Sequence, residues 1–212
     1  MSLYLSRLAL NLRSASVRRD LRDVQQLHRT VMAQFDEGAG NRAAQRVLFR
    51  LESGSDTVPR LLIQSAQRPR WTLEERYALH PPETKDIEVA LAAIAQGQRL
   101  RFRLRANPTK RSSAPERANA PRLPLTSWDD RASWLARKLA GAGARLVDSS
   151  LDAASQPRDR GRANGHRVTI WPVRFEGLLI VEDPEALRAA IVTGIGPARA
   201  YGNGLLSVAP AR

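Results

Sequence analysis

Proton-transfer chemistry in this chain points first to His28, one of only three histidines. It lies in Asp23-Val24-Gln25-Gln26-Leu27-His28-Arg29-Thr30, one residue beyond Leu27 and at the margin of a helical apolar stripe. An imidazole with an ordinary pKa near ~6.5 suits acid or base work at neutral pH. Arg29 and the preceding Arg18 and Arg19 are cations that could hold a phosphate nearby. By spacing alone, a histidine at a helix border can equally be structural. His80, before Pro81-Pro82, and His166, beside Arg167, read as turn or surface residues. There is no His-Glu-x-x-His, no Gly-x-Ser-x-Gly and no cysteine, so no metal and no cofactor is expected. Glu74-Glu75 and Asp129-Asp130 read as solvated charges.

A second candidate is the run Gly194-Ile195-Gly196-Pro197-Ala198-Arg199-Ala200-Tyr201-Gly202-Asn203-Gly204. Glycine admits positive φ and lets backbone N–H groups approach a ligand, so such a loop can cup an anion. The plainer reading is a turn that packs two elements together. Without Gly-Lys-Ser or Gly-Lys-Thr, a nucleoside triphosphate site is not expected.

Charge shifts the balance toward a polyanion. The 212 residues hold 34 basic and 21 acidic side chains, a net charge of +13. Only Lys85, Lys110 and Lys138 are lysines, and arginine suits bidentate phosphate and base-edge contacts. Two basic stretches are the strongest nucleic-acid candidates. One is 105–122, with Arg105, Lys110 and Arg111; the other is 158–167, with Arg158, Arg160, Arg162 and Arg167. Trp71, Trp128, Trp134 and Trp171 could stack bases, although the helical spacing of Trp134 suits a core. No apolar run approaches the ~20 residues of a membrane span, and residues 1–8 lack a signal-peptide core. A soluble cytoplasmic protein is expected, and no amphipathic stripe is left over, so a monomer.

The elements that must position these residues are read from periodicity. Residues 3–12 alternate as a strand, and 13–19 form a basic connector. Asp20 caps a helix through Leu21, Val24, Leu27, Val31 and Phe35. Residues 46–52 and 60–65 read as strands around a turn at Gly54-Ser55-Asp56, and 87–94 as a short helix. Residues 98–106 alternate Leu100, Phe102 and Leu104 with arginines. Residues 107–124 read as a mobile basic loop. A helix capped by Ser127 closes at Gly141 and Gly143. Residues 144–151 form a strand, 152–166 a polar loop and 167–181 strand-like sequence. A helix over 182–192 and a strand over 205–208 end the chain. Both halves suggest strand–helix–strand–strand–helix–strand. That is an α+β chain of two tandem ferredoxin-like, RRM-like domains, over 1–94 and 95–212, the second with the C-terminal glycine-rich loop.

In order along the chain, Tyr4-Leu5-Ser6-Arg7-Leu8-Ala9-Leu10-Asn11, Arg19-Asp20-Leu21, Leu27-His28-Arg29-Thr30 and Leu62-Ile63-Gln64-Ser65 make up a familiar set. So do Leu100-Arg101-Phe102-Arg103-Leu104-Arg105-Ala106-Asn107-Pro108-Thr109-Lys110-Arg111, Phe175-Glu176-Gly177-Leu178-Leu179 and 194–210. The set resembles the CasE family, the CRISPR repeat-RNA endoribonucleases of the type I-E Cascade complex. The resemblance implies two ferredoxin-like domains and metal-independent cleavage of CRISPR precursor RNA at the base of each repeat hairpin. The 2′-OH would attack, leaving 2′,3′-cyclic phosphate and 5′-OH ends, with His28 as general acid or base. The mature guide RNA would be retained together with the other Cascade subunits. It also places 158–167 on the RNA stem, and Gly194, Gly196, Arg199, Gly202 and Gly204 near the RNA backbone.

One departure stands out. Several relatives carry tyrosine where this chain has Gln25, and an amide cannot transfer a proton, though it can hydrogen-bond a 2′-OH or a phosphate oxygen. Tyr4 is one substitute if strand one passes close to the helix. Gln25 also leaves open a repeat-hairpin RNA-binding subunit with little or no cleavage activity. Charge alone leaves open a generic basic RNA-binding protein.

Overall fold

The computed structural model describes residues 2–35, 46–54, 57–111, 122–163 and 165–211. Strand β1 (Tyr4–Ala9) is followed by two helices, α1 (Ala15–Arg22) and α2 (Val24–Met32), rather than one. The caps explain the break. Ser14 accepts a hydrogen bond from the backbone of Val17, and Asp23 from Gln25 at 2.8 Å, so each polar residue starts its own helix. The stretch 13–19 is therefore mostly helix, and Asp20 is not a cap. Its buried carboxylate accepts from Arg19 Nε (2.9 Å), Thr30 Oγ1 (2.6 Å) and the hydroxyl of Tyr77 (2.9 Å). A buried charge needs such partners. Burial, helped by the charge of Asp20, pushes the Tyr77 phenol far above its ordinary pKa, so it remains a donor.

Strands β2 (Leu48–Gly54), β3 (Thr57–Ser65) and β4 (Glu83–Asp86) complete an antiparallel sheet of order β2-β3-β1-β4. This is the ferredoxin strand order. Its buried face packs Leu8, Leu10 and Ile63 against Val17, Leu27 and Val31. The helix expected over 87–94 is α3 (Glu88–Ala92), and it follows β4 instead of joining β3 to β4. Residues 66–82 hold no helix; Trp71, Leu73 and the buried Tyr77 cover the core there.

The second sheet starts at β5 (Arg99–Ala106), whose Leu100, Phe102, Leu104 and Ala106 are buried while Arg99, Arg101 and Arg103 face out. A two-stranded ladder of β6 (Thr109–Arg111) and β7 (Arg122–Pro124) flanks the basic loop, most of which lies outside the described residues. Ser127 caps α4 (Trp128–Ala140), and Gly141 ends it, as the sequence predicts. Strand β8 (Ala144–Leu146) is shorter than expected because a 3₁₀ turn follows at Asp148–Ser150.

The stretch read as a polar loop holds strands. These are β9 (Asp152–Ser155), β10 (Asp159–Ala163) and the start of β11 (His166–Ile170), with β10 and β11 forming a separate hairpin. Its alternation of arginine with small or acidic residues hides the pattern, since neither face is apolar. Strand β12 (Val173–Val181), helix α5 (Pro184–Thr193) and β13 (Leu206–Pro210) close the chain. The sheet order is β13-β5-β12-β8, again ferredoxin-like, with β9 also paired to β12. A second apolar cluster includes Leu104, Leu135, Phe175 and Trp134, whose ring stacks on Phe175.

Side chains join the two sheets. Arg50 on β2 is 3% exposed and donates to the carbonyls of Arg103 (3.1 Å) and Leu205 (3.0 Å) and to Ser207 Oγ (3.0 Å). Its charge is met by Glu52 at 2.8 Å, which also takes Arg103 at 3.1 Å. Buried Gln64 donates to the carbonyl of Ile191 at 2.8 Å.

Candidate active site

His28 sits where α2 meets two elements of the second half. Helical spacing puts Gln25 and His28 on neighbouring turns of one face, with Leu27 and Val31 turned into the core. At the N-terminal end of α2 the hairpin β10–β11 lies directly against the helix. A Cβ added at Gly161 would come within 2.5 Å of Asp23 Oδ1 and 3.2 Å of the Gln25 backbone nitrogen. Only glycine allows that approach. Farther along, the imidazole of His28 meets the ring of Tyr201 edge-on, with centroids 6.1 Å apart and planes at 64°.

Tyr201 belongs to a 3₁₀ turn (Arg199–Tyr201) inside the glycine run. Gly202 has φ of +73° and packs on Phe49 of β2, where a Cβ would stand 3.0 Å from the ring. The Gly204 N–H donates to the carbonyl of Arg105 at 2.7 Å. Arg199 is exposed and donates to the carbonyl of Thr193 at 2.7 Å. The loop thus bridges both halves, with Gly194 set against Leu48 and Gly196 against Trp134.

Side chains along 158–162 alternate in direction. Arg158, Arg160 and Arg162 face outward, whereas Asp159 and Gly161 face the protein. Asp159 receives two hydrogen bonds from Arg105, at 2.8 and 2.9 Å, and Arg105 also reaches the carbonyl of Gly202 at 3.3 Å. Burial pushes the Asp159 carboxyl above its ordinary pKa, and Arg105 opposes that rise. Arg105 is therefore held inside the protein, its side chain 11% exposed. Outward-facing Arg158, Arg160, Arg162 and Arg167 join Arg22, Asp23, Thr169 and Trp171 around a groove of about 530 Å³. Arg158 stands 5.5 Å over the ring of Trp171. Five arginines against the single carboxylate of Asp23, which caps α2, make the groove a concentrated cationic surface.

Apart from Arg29, the other candidates sit outside α2 and the glycine run. Lys110 and Arg111 are exposed on β6. Arg18 is exposed and donates to the carbonyls of Leu12 and Arg13. Arg19 is tied to Asp20, whose hydrogen bond raises its pKa. Tyr4 opens β1 opposite Ser65 and Asp86. Arg29 is exposed beside His28. His80 and His166 are exposed, and Trp134 is core. A larger cleft of about 990 Å³ lies between the sheets, lined by Arg99 and Arg101, and His28 does not line it. Among the described residues, no cluster of three His, Cys, Asp or Glu side chains is arranged to hold a metal ion, and no helix is long and apolar enough to cross a membrane.

The family described as CRISPR associated protein matches residues 3–210. The CRISPR-associated endoribonuclease Cse3 of Thermus thermophilus is 36% identical over 221 residues, covering 98% of this chain and all of that protein. The chain belongs to the CRISPR-associated CasE family. The CRISPR system Cascade subunit CasE of Escherichia coli is 34% identical, covering 89% of this chain and 93% of that subunit. Among solved structures, CRISPR endoribonuclease Cse3 bound to 19 nt RNA superposes with a TM-score of 0.80 at 35% identity, covering 99% of this chain and all of that one.

Sequence reasoning missed Tyr201 beside His28, the pairing of Arg105 with Asp159, and Arg50 between the two sheets. Tyr201 had a local signal, an aromatic residue inside a glycine run. Nothing local shows that the run returns to α2.

Proposed function

We propose that this CasE-family protein is an endoribonuclease that processes CRISPR repeat RNA and keeps the guide RNA as a Cascade subunit. The observation that carries the reading is the junction itself, where the helix that holds His28 against Tyr201 meets, at its N-terminal end, a cationic groove lined by Arg22, Asp23 and the arginines of the hairpin. Family membership supplies the substrate class.

Duplex RNA is recognised mainly by shape and backbone, and alternating outward arginines suit the phosphates of a repeat-hairpin stem. Arg158, Arg160, Arg162 and Arg167 would hold the stem, and Arg22 faces the same groove. The scissile phosphate would then lie along α2 at His28. One N-terminal unit (1–94) would carry the histidine and one C-terminal unit (95–212) most of the RNA grip.

In the cleavage step the 2′-OH loses its proton and its oxygen bonds to the adjacent phosphorus. The P–O5′ bond breaks, and the leaving oxygen takes up a proton. The products are a 2′,3′-cyclic phosphate and a 5′-OH. His28 performs one of these proton transfers, and exposed Arg29 offers positive charge to the phosphate. Gln25, one turn away, can hydrogen-bond the 2′-OH or a phosphate oxygen. No step needs a metal ion. The setting is cytoplasmic, and the free protein is a monomer.

Gln25 favours one alternative, a subunit that binds the hairpin with little cleavage. A repeat RNA with a single 2′-deoxy sugar at the scissile position separates the two. Cleavage of the ribose RNA, a block in the deoxy RNA and a cyclic phosphate by mass spectrometry support the nuclease. Tight binding of both RNAs without cleavage supports the binding subunit.

A further inference from the structure

The geometry points to Tyr201 as a positioning residue for His28, its ring holding the imidazole in the orientation that proton transfer requires. This inference rests on the nuclease reading.

The backbone of His28 is already fixed. Asp23 caps α2 at one end, Gly161 of the hairpin packs beneath that cap, and Thr30 is tied to buried Asp20 at 2.6 Å. The imidazole projects from that fixed backbone toward the glycine run. Tyr201 meets it edge-to-face, the arrangement that aromatic quadrupoles favour.

Tyr201 is itself pinned. Its N–H donates to the carbonyl of Ala198 at 3.0 Å, and its carbonyl accepts from Asn203 Nδ2 at 2.9 Å. The next residue, Gly202, packs on Phe49, and its carbonyl accepts from Arg105 at 3.3 Å. Asn203 is fully buried. A ring on a backbone held from both halves of the chain can fix a side chain on α2, whereas a ring on a loose loop could not. Catalysis is sensitive to such placement, and a misplacement of ~1 Å can cost about 100-fold in rate.

The test measures single-turnover cleavage of the repeat hairpin and RNA affinity for wild type, Tyr201→Phe, Tyr201→Ala, His28→Ala and the double variant His28→Ala/Tyr201→Ala. Tyr201→Phe is expected within about 2-fold of wild type, and Tyr201→Ala slower by about 10- to 100-fold with affinity unchanged. The double variant should be no slower than His28→Ala, because the ring acts through the imidazole. A Tyr201→Phe variant as slow as Tyr201→Ala, additive losses in the double variant, or a loss of affinity matching the loss of rate would each overturn the inference.

A wild type that does not cleave would defeat the nuclease reading instead. Positioning is then judged by NMR on the imidazole C–H signals of His28, assigned through His28→Ala. Signals that move in Tyr201→Ala and stay in Tyr201→Phe support it, and signals that ignore both variants overturn it.

Discussion

One guanidinium nitrogen of Arg105, Nη2, donates to both carboxylate oxygens of Asp159, at 2.8 and 2.9 Å, in an ion pair between the central strand β5 and the arginine hairpin. The same guanidinium reaches the carbonyl of Gly202, so one side chain links the proposed RNA grip to the loop that carries Tyr201. Because both partners are mostly buried, removing one leaves an uncompensated charge. Arg105→Ala is expected to lower stability by about 3 kcal/mol, read by urea denaturation. A change below about 0.5 kcal/mol would place the pair among surface contacts.

Glu52 gives a pH dependence with a definite sign. Burial works against its charge, but Arg50 and Arg103 together hold its carboxyl below the ordinary value. A depressed folded-state pKa means stability that is present above the unfolded value near ~4.3 and is lost as pH falls through the folded value. Denaturation midpoints measured from neutral to acid pH should therefore fall less steeply in Glu52→Gln than in wild type. Parallel curves would refute the coupling.

Gly202 tests the loop. At φ of +73° and 3.0 Å from Phe49, an added methyl is both strained and crowded. Gly202→Ala is expected to cost about 1–3 kcal/mol and to slow cleavage more than it weakens RNA binding. A variant with wild-type stability and rate would show that the loop tolerates a side chain there.

The groove arginines make a salt-dependence prediction. Affinity for the repeat hairpin should fall steeply between low and moderate salt, and Arg160→Ala or Arg162→Ala should each reduce the salt slope by about 1. A slope unchanged in both variants would remove the hairpin from the phosphate contacts.

Much of the fold is legible in local pattern. Leu100, Phe102 and Leu104 mark β5, Ser127 and Gly141 bound α4, and Pro184 opens α5. Errors arose where tertiary partners decide. Asp20 looks like a cap, yet Thr30 and Tyr77 draw it into the core. The first strand of the hairpin, 159–163, looks like part of a polar loop because its inward face carries Asp159 and Gly161, whose partners are Arg105 and α2. His28 was legible as a proton-transfer candidate from its type and its place on α2. Its contact with Tyr201 depends on how the two halves dock, which no local spacing encodes.

The most direct test of the central claim is cleavage of the cognate repeat hairpin in EDTA by wild type and by His28→Ala, with RNA binding measured in parallel. The account predicts that wild type cuts without metal and that His28→Ala binds the hairpin with similar affinity but loses most of its cleavage rate. Equal cleavage by both proteins, or cleavage abolished by EDTA, would contradict it.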